Sequence, residues 1–229
     1  MSPSVTSRFA AALLATLALL TACAPSPSSP ESRVADVETA RSAFHGTLLD
    51  PPPGRPELTL VATDGQEFSL TARPEDEVTV VFFGYTHCPD VCPTTMADLA
   101  VAVRQLPPEV RAHVTIVFVT EDPGRDTPDA LRMWLDQFDS TFVGLLGGNA
   151  ATRAALAELD LTESTPIPQP DDPIAHPDTG DGPHDHGDYS VEHTGIIYAF
   201  GPGEAAVIYT GGFSPRQYAE DFTRLAEPE

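Results

Sequence analysis

An α/β fold built on a mixed sheet is predicted by three observations. Two continuous runs, Val78–Phe83 (VTVVFF) and Val114–Thr120 (VTIVFVT), are β-branched and aromatic almost throughout. Such runs mark central strands buried on both faces. Each is followed, after a short loop, by a stretch with helical spacing. A later pair of apolar runs, Gly195–Phe200 and Ala206–Tyr209, is joined by Gly201-Pro202-Gly203-Glu204 and reads as an antiparallel hairpin. Strand and helix twice over, then a hairpin and a last helix, give a sheet parallel in one half and antiparallel in the other, flanked by helices.

Taken in order, the first segment stands outside that fold. MSPSVTSRFAAALLATLALLTAC carries one cation, Arg8, and then an apolar run from Phe9 to Leu20. The run is too short to span a bilayer comfortably and has the shape of a secretory signal. It closes on Leu20-Thr21-Ala22-Cys23, which resembles a bacterial lipobox. In such signals residues 1–22 are removed and the cysteine is lipidated. Cys23 is therefore expected to anchor the chain to the outer face of the bacterial cytoplasmic membrane, several acyl chains being needed for a stable hold. Residues 23–43 begin with the Pro/Ser tract APSPSSPESR and read as a flexible tether. Some thirty-five residues separate Cys23 from the first convincing strand of the domain, expected over residues 44–229, and as a coil they let it search roughly 30 Å around its anchor.

Leu58–Val61 and Glu67–Leu70 flank Thr63-Asp64-Gly65-Gln66, an Asp-Gly turn that predicts an N-terminal hairpin. After the first central strand, Thr94–Leu106 shows helical spacing at Met96, Leu99, Val103 and Leu106, and Pro107-Pro108 ends it. Thr127-Pro128-Asp129 supplies an N-cap, a proline at N1 and an acid in the first turn of a helix running to about Gln137. Phe142–Leu146 is expected as a short strand and Asn149–Leu159 as a short helix. Ser214-Pro215 opens a last helix to about Leu225. Residues 166–188, PIPQPDDPIAHPDTGDGPHDHGD, are rich in proline, acids and histidine and are expected as a surface loop insertion. The plan matches a thioredoxin-like sheet, in which the loop after the first central strand carries reactive cysteines at the C-terminal edge.

Acidic residues outnumber basic ones by 34 to 12, and every basic residue is an arginine. Such a surface repels phosphate backbones, which excludes nucleic acid as a natural partner. It favours cations and basic protein patches.

With Cys23 lipidated, the only thiols are Cys88 and Cys92, in His87-Cys88-Pro89-Asp90-Val91-Cys92-Pro93. Four apart where a loop becomes a helix, they share one face and can close on each other or on one ion. Helix N-terminal amides favour their thiolates. Three chemistries fit the spacing. A structural staple would stabilise little, because the loop it closes is short. A dithiol–disulfide exchange couple is geometrically possible. A soft metal site would need a third donor. His193, just before the Gly195 strand, stands where a thioredoxin-like sheet brings a loop beside the cysteines, and where thiol-exchange enzymes keep a cis-proline. A Cys-Cys-His set suits copper better than structural zinc, which prefers four closed ligands. His87 and Asp90 read as neighbours of the site. Met96, Met133 and Trp134 are expected on core faces. His176, His184 and His186 lie in the insertion, where His184-Asp185-His186 resembles short metal-binding tracts.

The stretch Phe83–Thr94 closely resembles the core motif of the Sco (SenC) family of copper-binding assembly proteins. Phe44–Leu70, Thr120–Pro128 with its DP-G-RDTP segment, and Tyr189–Thr194 fit the same pattern in order. The resemblance implies a thioredoxin fold and a mononuclear copper site whose ligands correspond to Cys88, Cys92 and His193. Copper(I) is the expected ion, with copper(II) as a second state. It also implies a part in assembling the dinuclear copper centre of cytochrome c oxidase, by copper delivery, by reducing the acceptor's cysteines, or both. The partners would be the copper-accepting oxidase subunit and a thiol reductant or copper donor. A dithiol reductase with Cys88 as nucleophile, and a copper or redox sensor, remain alternatives. No peroxidatic Pro-x-x-x-Thr-x-x-Cys pattern surrounds either thiol.

Overall fold

A computed structural model describes residues 43–148, 150–168, 189–192 and 194–227. The expected signal, tether and lipidated Cys23 lie outside these residues, as do His176, His184, His186 and His193. No helix among the described residues is long and apolar enough to cross a membrane.

The elements run β1 (Thr47–Leu48), β2 (Thr59–Val61), β3 (Glu67–Ser69), β4 (Val78–Gly84), α1 (Val91–Gln105), α2 (Pro108–Arg111) and β5 (Val114–Thr120). They continue α3 (Pro128–Leu135), β6 (Val143–Leu145), α4 (Ala150–Glu158), β7 (Thr165–Pro168), β8 (Tyr189–Glu192), β9 (Ile197–Phe200), β10 (Ala206–Tyr209) and α5 (Pro215–Leu225). One sheet has the order β1-β10-β9-β4-β5-β6. β4, β5 and β6 are parallel, while β9 lies antiparallel to β4 and β10 antiparallel to β9. This is the thioredoxin-like α/β arrangement expected, and the β2–β3 hairpin forms as read.

The sheet has a core on each side, which explains why its central strands are continuously apolar. Along β4, Val78, Val80 and Phe82 face one cluster with Leu99 and Val103 of α1, Leu131 and Leu135 of α3, and Phe222 of α5. Val81 and Phe83 point the other way, toward Leu58, Leu60 and Leu70 around the hairpin and Leu156 of α4. Both sides of β4 are closed to water, so the strand is a rigid base for the loop that follows it.

Several details differ from the sequence reading. Helix α1 starts at Val91, three residues earlier than Thr94, so Cys92 is inside its first turn. Pro93 does not prevent this, because first-turn N–H groups have no intrahelical partner to lose. Helix α3 ends at Leu135 rather than Gln137. Met133 is 69% exposed instead of facing the core. Leu131 and Leu135, four apart, take the buried stripe of this short helix and turn Met133 outward. The insertion starts inside a strand: β7 pairs with β8, with Pro166 opposite Val191 and Pro168 opposite Tyr189. A two-stranded pair tolerates such prolines because a strand offers its N–H groups alternately to either side. The remainder of the expected loop lies outside the described residues.

Candidate metal centre

β4 delivers the chain to the site at Gly84. The register ends with Gly84 opposite Thr120, and Glu121 N–H donates to the Gly84 carbonyl at 2.8 Å. A side chain at Gly84 would place its Cβ 2.8 Å from Cys92 Sγ and 3.2 Å from the Phe82 and Phe118 rings. Glycine is thus required by close approach, and it lets Cys92 sit against the end of the strand. Tyr85 is buried, with the Arg125 guanidinium 5.9 Å from its ring centroid. The loop then turns: Cys88 N–H donates to the Tyr85 carbonyl at 3.3 Å, and Cys92 N–H donates to Cys88 Sγ at 3.4 Å.

Cys88 and Cys92 are thiols not bonded to one another. Their sulfurs are close enough to share a hydrogen bond. Cys88 is only 8% exposed and Cys92 0%. Both join the core cluster that contains Tyr85, Phe82 and Met96. Of the two cysteines, only Cys88 keeps a small exposure.

Burial also reverses part of the expected electrostatics. The hydrogen bond with Cys88 pushes the Cys92 thiol far above its ordinary range, and desolvation pushes it further. The helix N-terminus does not overcome this. Cys92 is therefore held as the thiol, and its proton leaves most readily when a cation takes its place. A soft monovalent ion meets that condition; closure to a disulfide instead releases two protons and two electrons, which a partner disulfide takes up as it is reduced.

The other sequence candidates separate clearly. His87 is more than half exposed, with Nδ1 3.1 Å from Thr86 Oγ1 and 3.7 Å from Asp126 Oδ1. Asp90 is the N-cap residue of α1, but its side chain makes no capping bond. Among the described residues, no group of three His, Cys, Asp or Glu side chains could hold a metal ion. The third-ligand expectation, His193, falls outside the described residues. Its surroundings are described on one side. Ile197 of β9 lies opposite Phe82 of β4, so β9 begins at the sheet end where β4 leaves for the cysteines. Gly195, at φ +61°, is close enough that a Cβ there would stand 3.3 Å from Val91 Cγ1.

The DP-G-RDTP segment proves more than a turn and cap. Thr127 caps α3, accepting from Ala130 N–H at 3.3 Å, as read. Asp122 and Arg125 form a buried ion pair at 2.5 Å. Asp126, 1% exposed, reaches across to the cysteine loop and accepts hydrogen bonds from Thr86 and Thr120. Sequence reasoning missed both threonines and Gly84. For Gly84 and Thr120 the available signal was a small or hydroxyl residue at the C-terminal end of each central strand.

A thioredoxin-like sheet with a buried dithiol at the first turn of the helix after its central strand defines the class: an α/β protein of thioredoxin-like fold with two soft donors side by side. The SCO1/SenC family model matches residues 49–227, and the chain belongs to that family. It is 35% identical over 147 residues to a Stutzerimonas stutzeri protein named for copper binding, covering 64% of each. It is 29% identical over 157 residues to the human mitochondrial SCO1 homolog, covering 64% of this chain and 47% of that one. The chain thus spans just under two thirds of the first relative's length and about half of the second's. Among solved structures, Bradyrhizobium japonicum ScoI with copper bound superposes with a TM-score of 0.59 at 27% identity, over 73% of this chain and 96% of that one. Apo Sco1 from Thermus thermophilus gives a TM-score of 0.59 at 31% identity, over 79% and 92%.

Proposed function

We propose that this protein binds copper(I) through the Cys88 and Cys92 sulfurs and the His193 imidazole, and carries it to the dinuclear copper centre of cytochrome c oxidase during assembly. The observation that carries the reading is the buried, hydrogen-bonded pair of thiols at the start of α1. It presents two soft donors to one point, and a relative with this fold has been solved with copper bound. His193 is favoured as the third donor because the chain on its C-terminal side runs beside Val91. A three-coordinate site leaves an open position, so copper passes to incoming cysteines by ligand exchange rather than being trapped. Cys88, the residue of the pair with some exposure, is the one an acceptor reaches first. In this reading Cys23 carries the lipid that holds the protein at the outer face of the cytoplasmic membrane. A thiol reductant there keeps the pair open for loading.

Anaerobic copper(I) titration of the reduced full-length protein tests the assignment. A stoichiometry near one is expected, lost when Cys88, Cys92 or His193 is replaced in turn. Full retention in His193→Ala would remove the imidazole from the site.

A second reading has its own support. Two thiols already sharing a hydrogen bond are poised to close, so the protein would reduce the acceptor's cysteines by thiol–disulfide exchange. His193→Ala separates the two: delivery of copper fails, whereas thiol exchange proceeds at close to the parent rate.

A further inference from the structure

We infer that Asp126 is a positioning residue for the Cys88–Cys92 pair, holding the cysteine loop through a carboxylate buried between that loop and the end of β5. The inference rests on this pair being the working site, as proposed above, but not on which ion it carries.

The geometry is a three-armed tie. Thr86 N–H donates to Asp126 Oδ2 at 3.0 Å, and the Thr86 hydroxyl donates to Oδ1 at 2.5 Å. One residue of the cysteine loop therefore grips both oxygens. The third arm comes from the sheet, where the Thr120 hydroxyl donates to Oδ2 at 2.6 Å. Thr120 also accepts from Asp122 N–H at 3.0 Å, which fixes the start of the segment leading to Asp126. Asp126 in turn directs its own N–H to the Asp122 carbonyl at 2.9 Å, and Thr127 then caps α3. The carboxylate is thus rigid on its own side, and what it holds is the loop.

Thr86 is two residues before Cys88. Its position decides where the Tyr85–Cys88 turn begins, and hence where the Cys88 sulfur stands relative to Cys92. On the other side, Cys92 is fixed by helix α1 and by its tight fit against Gly84. One sulfur is placed by the helix; the other is placed by a loop whose conformation the Asp126 tie defines. A charged acceptor gripping two donors of one residue is among the stronger and more directional hydrogen-bond arrangements. Loosening it lets the loop drift while the helix stays, which moves the two sulfurs apart. Angular errors at such a site are amplified at the side-chain tip, so an outer tie governs the chemistry without touching it.

The two threonine arms make the test specific. The full-length, metal-free protein is equilibrated in glutathione redox buffers. The disulfide fraction is trapped by alkylation and read on the peptide carrying both cysteines, alongside the urea unfolding midpoint. Thr86→Val removes the hydroxyl arm of the loop, leaving only the backbone N–H, and is expected to lower the equilibrium constant for Cys88–Cys92 closure about fivefold, with Thr86→Ser restoring it. Thr120→Val cuts a comparable buried hydrogen bond on the sheet side; it lowers the unfolding midpoint but moves the equilibrium less than twofold. Asp126→Ala is expected to lower closure about tenfold, close to 30 mV for this two-electron couple. Asp126→Asn keeps it within threefold, because an amide oxygen in the Oδ2 place still accepts from Thr86 N–H and the Thr120 hydroxyl, while the amide N–H2 donates to a Thr86 hydroxyl that reverses. Equal shifts from the two valine variants, or no shift from Thr86→Val, overturn the inference; if Asp126→Ala does not fold, the threonine pair decides alone. Because the readout is metal-free, a chain that shows this pattern and binds no copper loses the copper reading and keeps this one.

Discussion

Two buried carboxylates do similar mechanical work in two regions of this molecule, and the difference between them separates stability from function. Asp221, on α5, is 1% exposed and faces the start of the domain. His45 N–H reaches its two oxygens at 2.9 and 3.0 Å, Gly46 N–H donates at 2.9 Å, and the Tyr209 hydroxyl donates at 3.1 Å. It ties the chain's approach to β1 onto the last helix. Asp126 has a similar number of donors, but two of them belong to Thr86 in the cysteine loop. Both satisfy the requirement that a buried charge be hydrogen-bonded. One closes the two ends of the fold on each other; the other reaches the site.

The nature of the donors sets the energetic contrast. Asp221 serves two backbone N–H groups, which cannot rotate to another acceptor. Removing the carboxylate strands both and the Tyr209 hydroxyl as well. With about 1–3 kcal/mol for each buried group left unsatisfied, and partial relief by water, Asp221→Ala is expected to cost roughly 3–5 kcal/mol. Urea unfolding would measure it. The dithiol–disulfide equilibrium of the molecules that remain folded should not move. If it moves as far as in Asp126→Ala, the two ties are not functionally distinct.

A pH effect belongs to the Asp221 region as well. Burial, then Asp98, pushes Tyr218 up to about 12, and burial followed by the Asp221 charge raises Tyr209 further. Unfolded tyrosines ionise near 10. Between those values the unfolded chain binds fewer protons than the folded one, so stability is intact below about pH 10 and falls as pH rises toward 12. Tyr218 alone accounts for a loss of roughly 2 kcal/mol by pH 12. Urea midpoints taken from pH 8 to 11.5 should decline above 10, with a shallower decline in Tyr218→Phe. A flat profile would mean that these hydroxyls are not held in the protonated form by the fold.

How far the sequence could be read follows the same division between local and distant forces. β4, β5 and the helix after each were legible because their patterns are local: continuous β-branched runs, helical spacing, and a Thr-Pro-Asp start. The cysteine pair was legible for that reason, since four-residue spacing at a helix start brings two sulfurs together whatever surrounds them. β1 was not, because two residues become a strand only by pairing with β10, with Thr47 opposite Ile208. The β7–β8 pair was hidden by its prolines and by the twenty residues between its strands. The ties are the clearest case. The Thr127 cap beside Asp126 was legible, but the bonds from Thr86 to Asp126 cross forty positions of sequence. The burial of Cys92 likewise depends on Gly84 and on rings from two strands, none of which the CxxxC spacing encodes.

Each region also has a glycine that exists to permit contact, and together they give the sharpest form of the contrast. At Gly46 a Cβ would stand 2.5 Å from Val207 Cγ1 and 2.6 Å from the Tyr209 ring. Both are fully buried and neither can move without disturbing β10. Gly46→Ala is therefore expected to cost about 1–3 kcal/mol, as overpacking of a close-packed core does. At Gly84 the nearest atom is Cys92 Sγ, at 2.8 Å, the end of a short side chain that can turn about χ1. Gly84→Ala should cost less, about 1 kcal/mol, because the thiol yields before the backbone does. Yet the yielding thiol turns away from Cys88, so disulfide closure and soft-metal capture should fall together while the urea midpoint moves little. Gly46→Ala should show the opposite pattern, a lower midpoint with an unchanged thiol equilibrium. Measuring both quantities on both variants places each glycine by its larger effect. If Gly84→Ala lowers only stability, Cys92 is held by the helix alone and the end of β4 does not shape the pair.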